Sequence, residues 1–372
     1  MVPRRLPLLN FGFDMQALSP LNTGNTGINA ASSPGSDDRT FVKRWYHYAP
    51  ACAVVLLILA PHPSLLIMLV DFHLLTMRQP YVFGIHLFVT YTLSFFAFSS
   101  FIVCIARDPG PVTMPKPIGS SDADDDLDIT EALMPSEDYS HPNRWCRKCW
   151  APKPDRTHHC NICGRCVLKM DHHCPWLAHK CIGHRTYPAF VHFLTCITLL
   201  ALYIAVISGT ALLYAFNNPY AVNEFTPVHE LGLTAAGLIF TLVIGSFLCY
   251  HLYLISTNQT TLENVTPFMI LRYLPPLPRG NHTLSDPPLE PELSHEQRRL
   301  VKHAHNYIRL YDLGLRKNWS QTFGWTRKRS FFFRLFCGGS SLGDGKSFPR
   351  NTKSDELLAR LAKELVQQDQ DS

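Results

Sequence analysis

Asp171-His172-His173-Cys174 sits inside a run from Cys146 to Cys181 that carries seven of the chain's twelve cysteines, with long uncharged apolar segments on either side. The run reads Cys146-Arg147-Lys148-Cys149, then His158-His159-Cys160-Asn161-Ile162-Cys163-Gly164-Arg165-Cys166, then the quartet, then Cys181. Zinc prefers four nitrogen and sulfur ligands, and cysteines two residues apart can grip one ion between two backbone turns. If one cysteine is kept free for chemistry, six remain. One histidine from each His-His pair brings the ligands to eight, enough for two closed tetrahedral sites. The competing reading is a redox-reactive or structural thiol cluster. Spacing alone leaves open which ligands share an ion.

Outward from this run the apolar residues fall into blocks. Between Ala49 and Val70, Tyr81 and Ala106, Tyr187 and Asn223, and Leu231 and Ser256 there is no Asp, Glu, Lys or Arg. Each block reaches the roughly 20 residues a helix needs to cross ~30 Å of hydrocarbon. Inside lipid the backbone must satisfy its own hydrogen bonds, so helices are the expected form. Pro61 and Pro63 are expected to kink the first span. The fold class is therefore a mainly α integral membrane protein, with four transmembrane helices and a cytosolic, zinc-stabilised cysteine-rich domain between the second and third. Residues 1–44 are rich in Ser, Asn, Gly and Pro and lack the apolar core of a cleavable signal peptide; they read as a disordered cytosolic tail.

Charge sets the expected orientation. Of 34 Lys and Arg, five precede the first span, eleven lie from Arg107 to Arg185, and seventeen follow the fourth span. The first short connection holds only Arg78, and the stretch from Glu224 to Glu230 holds none. The positive-inside bias places both termini and the cysteine-rich region in the cytosol. A net charge of +5 then points to anionic lipid or an anionic ligand, with no nucleic-acid partner. In a reducing compartment, clustered Cys and His suggest metal or catalysis before disulfides.

The segment closely resembles the cysteine-rich domain of the DHHC protein S-acyltransferases, the protein palmitoyltransferases. The match comprises Cys146-Arg147-Lys148-Cys149, Lys153-Pro154-Asp155-Arg156, His158-His159-Cys160, Cys163, Cys166, Asp171-His172-His173-Cys174-Pro175-Trp176 and Cys181-Ile182-Gly183. Outside it, Asp108-Pro109-Gly110 follows the second span and Thr260-Thr261-Leu262-Glu263 follows the fourth. Tyr311-Asp312-Leu313-Gly314 leads to Asn318 and Phe323-Gly324, as in the family's C-terminal motif. The order of spans and motifs agrees from about residue 45 to 325. The expected divisions are 45–110 for the first two helices and the Asp-Pro-Gly motif, 111–143 for an acidic linker and 144–186 for the zinc domain. They continue with 187–257 for the last two helices, 258–325 for a docking region, and 326–372 for a basic-aromatic tail and terminal helix.

The resemblance implies a ping-pong enzyme. One structural Zn2+ would be held by Cys146, Cys149, His159 and Cys166, the other by Cys160, Cys163, His173 and Cys181. Cys174 would take the acyl chain from palmitoyl-CoA, with His172 as base and Asp171 fixing its tautomer. The partners implied are membrane lipid, acyl-CoA and proteins with an exposed cysteine, at an endomembrane (ER, Golgi or vacuole). The spans would enclose an acyl tunnel, with Phe190, Phe193 and Tyr203 as candidate lining. Lys153, Arg156 and Arg165 are candidates for the CoA phosphates. Thr260 and Thr261 are expected to cap backbone groups near the site, and Asn318 to tie the C-terminal segment to the membrane face. His158 is a spare imidazole.

One departure from the family pattern falls beside Cys181, which comes seven residues after Cys174 where the family has six. A bulge that leaves Cys181 in place is expected; the alternative displaces it and offers His179 to zinc. Two rival functions need less of the motif set: a RING-type ubiquitin ligase, which would need further widely spaced pairs, and a non-catalytic membrane zinc-finger scaffold. The apolar spacing of Ser354 to Gln367 predicts a surface helix.

Overall fold

The computed structural model describes residues 44–112, 145–222, 225–280, 282–324 and 331–371. The expected N-terminal tail, most of the acidic linker and the basic stretch 325–330 lie outside them.

Among the described residues, four helices are long and apolar enough to cross a bilayer: α1 (Trp45–Thr76), α2 (Pro80–Ala106), α3 (Tyr187–Asn217) and α4 (Thr226–Ser256), which make the chain a multi-pass membrane protein. α2, α3 and α4 each carry a proline in their first two positions, where the missing N–H costs nothing. α1 is interrupted at Ala60, where Pro61 and Pro63 withdraw two donors from the ladder. It then runs past Val70 and through Asp71. α4 likewise starts before Leu231 and includes Glu230, while α3 stops at Asn217 because Asn218 precedes a proline. Absence of charge marks apolar stretches, not helix ends, and this accounts for all three differences. The Asp71 carboxylate accepts from Thr226 Oγ1 at 2.8 Å, so it links α1 to the start of α4.

α3 is the most enclosed of the four and packs on α2 and α4. Gly237 permits the close α3–α4 approach, since a Cβ there would lie 2.9 Å from the Ala201 carbonyl oxygen. One apolar cluster fills the far half of the bundle around Leu69, Phe72, Leu200 and Leu233. A second lies at the cytosol-facing mouth under the expected orientation. It joins Ala51, Phe101, Phe190, Leu194 and Leu248 to Cys174, Leu177 and Ile182 of the cysteine-rich segment.

The cysteine-rich segment consists of three two-stranded antiparallel hairpins: β1 (Trp145–Cys146) with β2 (Ala151–Pro152), β3 (His158–Cys160) with β4 (Arg165–Val167), and β5 (His172–Cys174) with β6 (Lys180–Ile182). It is anchored to the end of α2 through the Asp-Pro-Gly motif. Asp108 Oδ1 accepts from the Gly110 N–H, and the Gly110 and Pro109 carbonyls accept from Leu168 N and Arg185 N.

Beyond α4 come α5 (Thr261–Val265), α6 (His295–His305), α7 (Leu315–Phe323), α8 (Phe331–Cys337) and α9 (Thr352–Gln370). α9 is longer than the predicted surface helix and buries Leu358, Leu361, Ala362 and Leu365 against Ile270, Leu271, Val301 and Ala304. Its periodicity shows an apolar stripe; only the fold shows what the stripe covers.

Candidate active site and metal centres

Strand alternation sorts the site residues, because successive side chains in a strand point to opposite faces. In the β5–β6 hairpin His173 pairs with Cys181, while His172 and Cys174 flank them on the other face. His173 and Cys181 meet Cys160 and Cys163; in the β3–β4 hairpin His159 and Cys166 pair and meet Cys146 and Cys149. Within each set of four the ligand atoms all lie within 4.8 Å of one another. His159 Nδ1 is 3.6, 3.1 and 3.9 Å from the sulfurs of Cys146, Cys149 and Cys166. His173 Nδ1 is 3.7, 3.4 and 3.8 Å from those of Cys160, Cys163 and Cys181. Three sulfurs and one imidazole nitrogen converging at this spacing suit a tetrahedral ion with bonds of about 2.0–2.3 Å. The two clusters are thus suited to two zinc ions.

The additional residue before Cys181 is absorbed after a short 3-10 turn (Pro175–Leu177), where Ala178 and His179 both adopt left-handed backbone with φ of 54° and 49°. Left-handed backbone costs a non-glycine residue roughly 1–2 kcal/mol. Burial of Ala178 and the His179 N–H bond to the Pro175 carbonyl hold the turn. Cys181 therefore stays with its cluster. His179 Nδ1 lies 3.4 Å from Nε2 of His173, behind the imidazole whose other nitrogen faces the sulfurs. Such a partner orients a ligating ring.

On the opposite face of β5, His172 Nδ1 is 2.7 Å from Asp171 Oδ2, and the Cys174 thiol is the ring's other hydrogen-bond partner. Asp171 is buried, yet its carboxyl stays below the usual carboxylate range despite the opposing effect of burial, because hydrogen bonds and the neighbouring imidazoles favour the anion. Thr261 supplies two of those bonds, from its N–H to Oδ1 at 2.9 Å and from Oγ1 to Oδ2 at 2.8 Å. Burial alone would lower His172; the bonds and charges of Asp171 and Cys174 outweigh it and lift the ring to about 9. Cys174 is 8 % exposed and belongs to the apolar cluster at the bundle mouth, where the edge of Phe190 meets His172 with centroids 5.2 Å apart.

The Thr-Thr-Leu-Glu motif divides its work. Thr260 caps α5 by accepting from Glu263 N, while Thr261 serves Asp171. Glu263 takes a bidentate bond from Arg156, both contacts at 2.7 Å. The burial and pairing of Arg156 weigh against the expected CoA contact. It is 2 % exposed, two further donors reach Asn258, and its guanidinium stacks on Tyr311. Four of its five N–H donors are committed to Glu263 and Asn258, and Tyr311 and Phe348 lie over its carbon at 4.3 and 5.1 Å. Arg165 is half-exposed and paired with Asp108 at 2.8 Å, and Lys153 lies within electrostatic reach of His158 and His159. His158 is half-buried and held down to about 4, chiefly by burial. Asn318 is fully buried, donates to the Ser256 carbonyl and Asp312, and accepts from Leu313 N.

Of the candidate tunnel residues, Phe190 reaches the site, Phe193 packs on Phe101, and Tyr203 bonds His86 across α3 and α2. The sequence reading missed Tyr187 and His251, whose side chains meet at 3.1 Å beside Phe190. The available signal was a histidine inside an apolar span, a costly placement that marks function in membranes.

Residues 139–267 match the family described as DHHC palmitoyltransferase. The chain is 32% identical over 211 residues to the probable protein S-acyltransferase 1 of Arabidopsis thaliana, covering 52% of this chain and 61% of the relative. It is 34% identical over 231 residues to the palmitoyltransferase ZDHHC15 of Homo sapiens, covering 61% of this chain and 56% of the relative. Against the palmitoyltransferase PFA3 of Gibberella zeae it is 42% identical over 145 residues, covering 39% and 26%. In each case the match spans less than two thirds of the relative's length.

Proposed function

We propose, from the premise that this chain carries a DHHC palmitoyltransferase domain, that it is a protein S-acyltransferase working through a thioester on Cys174. It takes a long acyl chain, palmitoyl above all, from acyl-CoA and passes it to exposed cysteines of other proteins. One observation carries this reading: among the seven clustered cysteines, Cys174 alone stands outside both ligand sets while bonding His172 and joining the bundle's apolar cluster.

His172 accepts the Cys174 proton, and Asp171, oriented by Thr261, stabilises the imidazolium. The Cys174 thiolate attacks the carbonyl carbon of acyl-CoA; a carbon–sulfur bond forms, and CoA leaves as a thiolate that takes the proton from His172. A substrate cysteine then gives His172 its proton, attacks the acyl-enzyme and releases Cys174. Each step exchanges one thioester for another, so positioning carries much of the rate. The chain gains about 0.8 kcal/mol per buried CH2, so the span interior is its natural site. Cys146, Cys149, His159 and Cys166 would hold one zinc, and Cys160, Cys163, His173 and Cys181 the other; zinc supplies a rigid frame that fixes the β5–β6 hairpin. Lys153 and Arg165 remain the candidate CoA contacts, with no such role for Arg156.

In this reading 45–110 and 187–257 form the membrane part, 144–186 the zinc domain and 258–325 the docking region. The termini and zinc domain face the cytosol of an endomembrane. Four Asn-x-Ser/Thr sequons follow α4, at Asn258, Asn264, Asn281 and Asn318. Asn258 and Asn318 are buried, so a glycan at Asn264 or Asn281 is what would reverse the orientation.

Incubation with palmitoyl-CoA is expected to leave a hydroxylamine-sensitive acyl group on Cys174. Cys174→Ser abolishes it while zinc stays near two ions per chain. Loss of zinc in that variant would make Cys174 a ligand and sink the assignment. His172→Ala is expected to slow loading by about 10²–10⁴.

A further inference from the structure

His251 is fully buried on α4, on the same face as Leu248 and Ile255, and these two belong to the apolar cluster that contains Cys174. Its ring is packed between Phe190 and Phe247, with centroids 5.1 and 4.6 Å away, and lies 6.0 Å from the ring of His172. Nδ1 meets the Tyr187 hydroxyl at 3.1 Å. The distance fits either tautomer; with the phenol as donor to Nδ1, the neutral ring carries its proton on Nε2. That nitrogen is buried and has no hydrogen-bond partner among the described residues. A buried donor without an acceptor costs roughly 1–3 kcal/mol, so it asks for a ligand atom that can accept. The two phenyl rings packed on it, Phe190 and Phe247, supply none. A thioester carbonyl brought to Cys174 does.

We propose that His251 is a further catalytic residue, whose Nε2–H donates to the carbonyl oxygen of the acyl group as it joins and leaves Cys174, with Tyr187 setting the tautomer. The inference rests on the acyltransferase reading above. When the Cys174 sulfur adds to the carbonyl carbon, the C=O π pair moves onto oxygen and the developing charge meets the Nε2–H. When the pair returns, the carbon–sulfur bond to CoA breaks and CoA departs as a thiolate, protonated by His172. His251 keeps its proton throughout. A donor aimed at oxygen in a site free of water acts most strongly in the transition state.

The test uses the full-length protein in detergent or nanodiscs, with palmitoyl-CoA carrying an isotopic label at the carbonyl carbon. Wild type loads Cys174, and the infrared carbonyl band of its acyl-enzyme sits at the lower frequency of a hydrogen-bonded thioester. His251→Leu is expected to lower the single-turnover loading rate by about 100-fold, the usual effect of losing one such donor. The KM for palmitoyl-CoA stays near wild type, and the carbonyl band moves to higher frequency. His251→Gln, whose amide N–H reaches near the Nε2 position, recovers part of the rate and of the band shift. A His251→Leu protein that retains two zinc ions and loads at the wild-type rate, or whose band stays put, overturns the proposal. Should His251→Leu lose zinc, Tyr187→Phe carries the test: a rate about tenfold lower with a shifted band supports the proposal, and an unmoved band overturns it. If wild type itself takes no acyl group on Cys174, the acyltransferase reading fails, and this inference fails with it. Normal wild-type loading with an indifferent His251 refutes this inference alone.

Discussion

The cysteine-rich segment and the C-terminal module reach order by opposite means. The first is three minimal hairpins whose internal apolar core is little more than Val167 and Met170 beside ligand sulfurs. The second, from Pro267 to α9, has an ordinary helical core, with Val301, Ala304 and Leu365 fully enclosed. So short a cysteine-rich segment has too little apolar surface to order itself, and ligand bonds stand in for the missing core. Between the two lies a polar joint, Arg156 with Glu263 and Asn258, stacked on Tyr311 and Phe348, and His184 adds a second link through Ser341 and the Gly343 carbonyl. The proposed catalytic pair, Cys174 and His172, sits where the β5–β6 hairpin, this joint and the bundle meet.

Zinc removal should separate the two regions most sharply. Structural zinc sites in small domains carry about 10–16 kcal/mol of apparent binding energy, so chelation or Cys160→Ala should abolish acyl loading and expose 145–186 to hydrogen exchange. Protection of α6 and α9 should persist. Equal loss of protection in both regions would show that the C-terminal core depends on the metal frame.

Next comes the joint. Arg156→Ala leaves the Glu263 carboxylate buried without its partner and should cost roughly 3–5 kcal/mol, read as a lower unfolding midpoint with zinc content retained. Loading should fall too, because α5 carries both Glu263 and the Thr261 that holds Asp171. A variant with normal stability would mean that the His184 bonds to Ser341 and Gly343 suffice to hold the two regions together.

Leu365→Ala should cost about 2–5 kcal/mol, confined to the C-terminal module, with zinc stoichiometry unchanged. Loss of zinc in this variant would collapse the distinction between the regions. Acid gives the smallest effect. Glu263 is held below its ordinary value, since the nearby Arg156 outweighs the cost of burial. For a depressed carboxyl the stabilisation is fully present above the unfolded value of about 4.3 and is lost as pH falls through the folded value. The unfolding midpoint should therefore be insensitive to this group at neutral pH and decline below about pH 4, and Glu263→Gln should blunt that decline.

Much of this was legible in the chain. Ligand chemistry depends on residue type and short spacing, and a helix in lipid depends on an uninterrupted apolar run, so the ligand types and all four spans could be read locally, while the division of the ligands into two clusters came with the family resemblance. The ends of the spans could not, because Asp71 and Glu230 are sheltered by neighbouring helices. The partner of Arg156 was hidden for a related reason: an arginine near a lysine and an aspartate looks solvated until the residue that neutralises it arrives 107 positions later.

By itself, then, the sequence determined the number of spans and a run of Cys and His suited to metal, since each is written in residue types a few positions apart; the role proposed for Cys174 came with the family resemblance. Only tertiary structure decided which groups surround that cysteine. Thr261 reaches Asp171 across 90 residues, and Tyr187 reaches His251 across 64. Such pairs are fixed by how α3 and α4 pack and by where the β5–β6 hairpin docks, and local propensity carries no record of either.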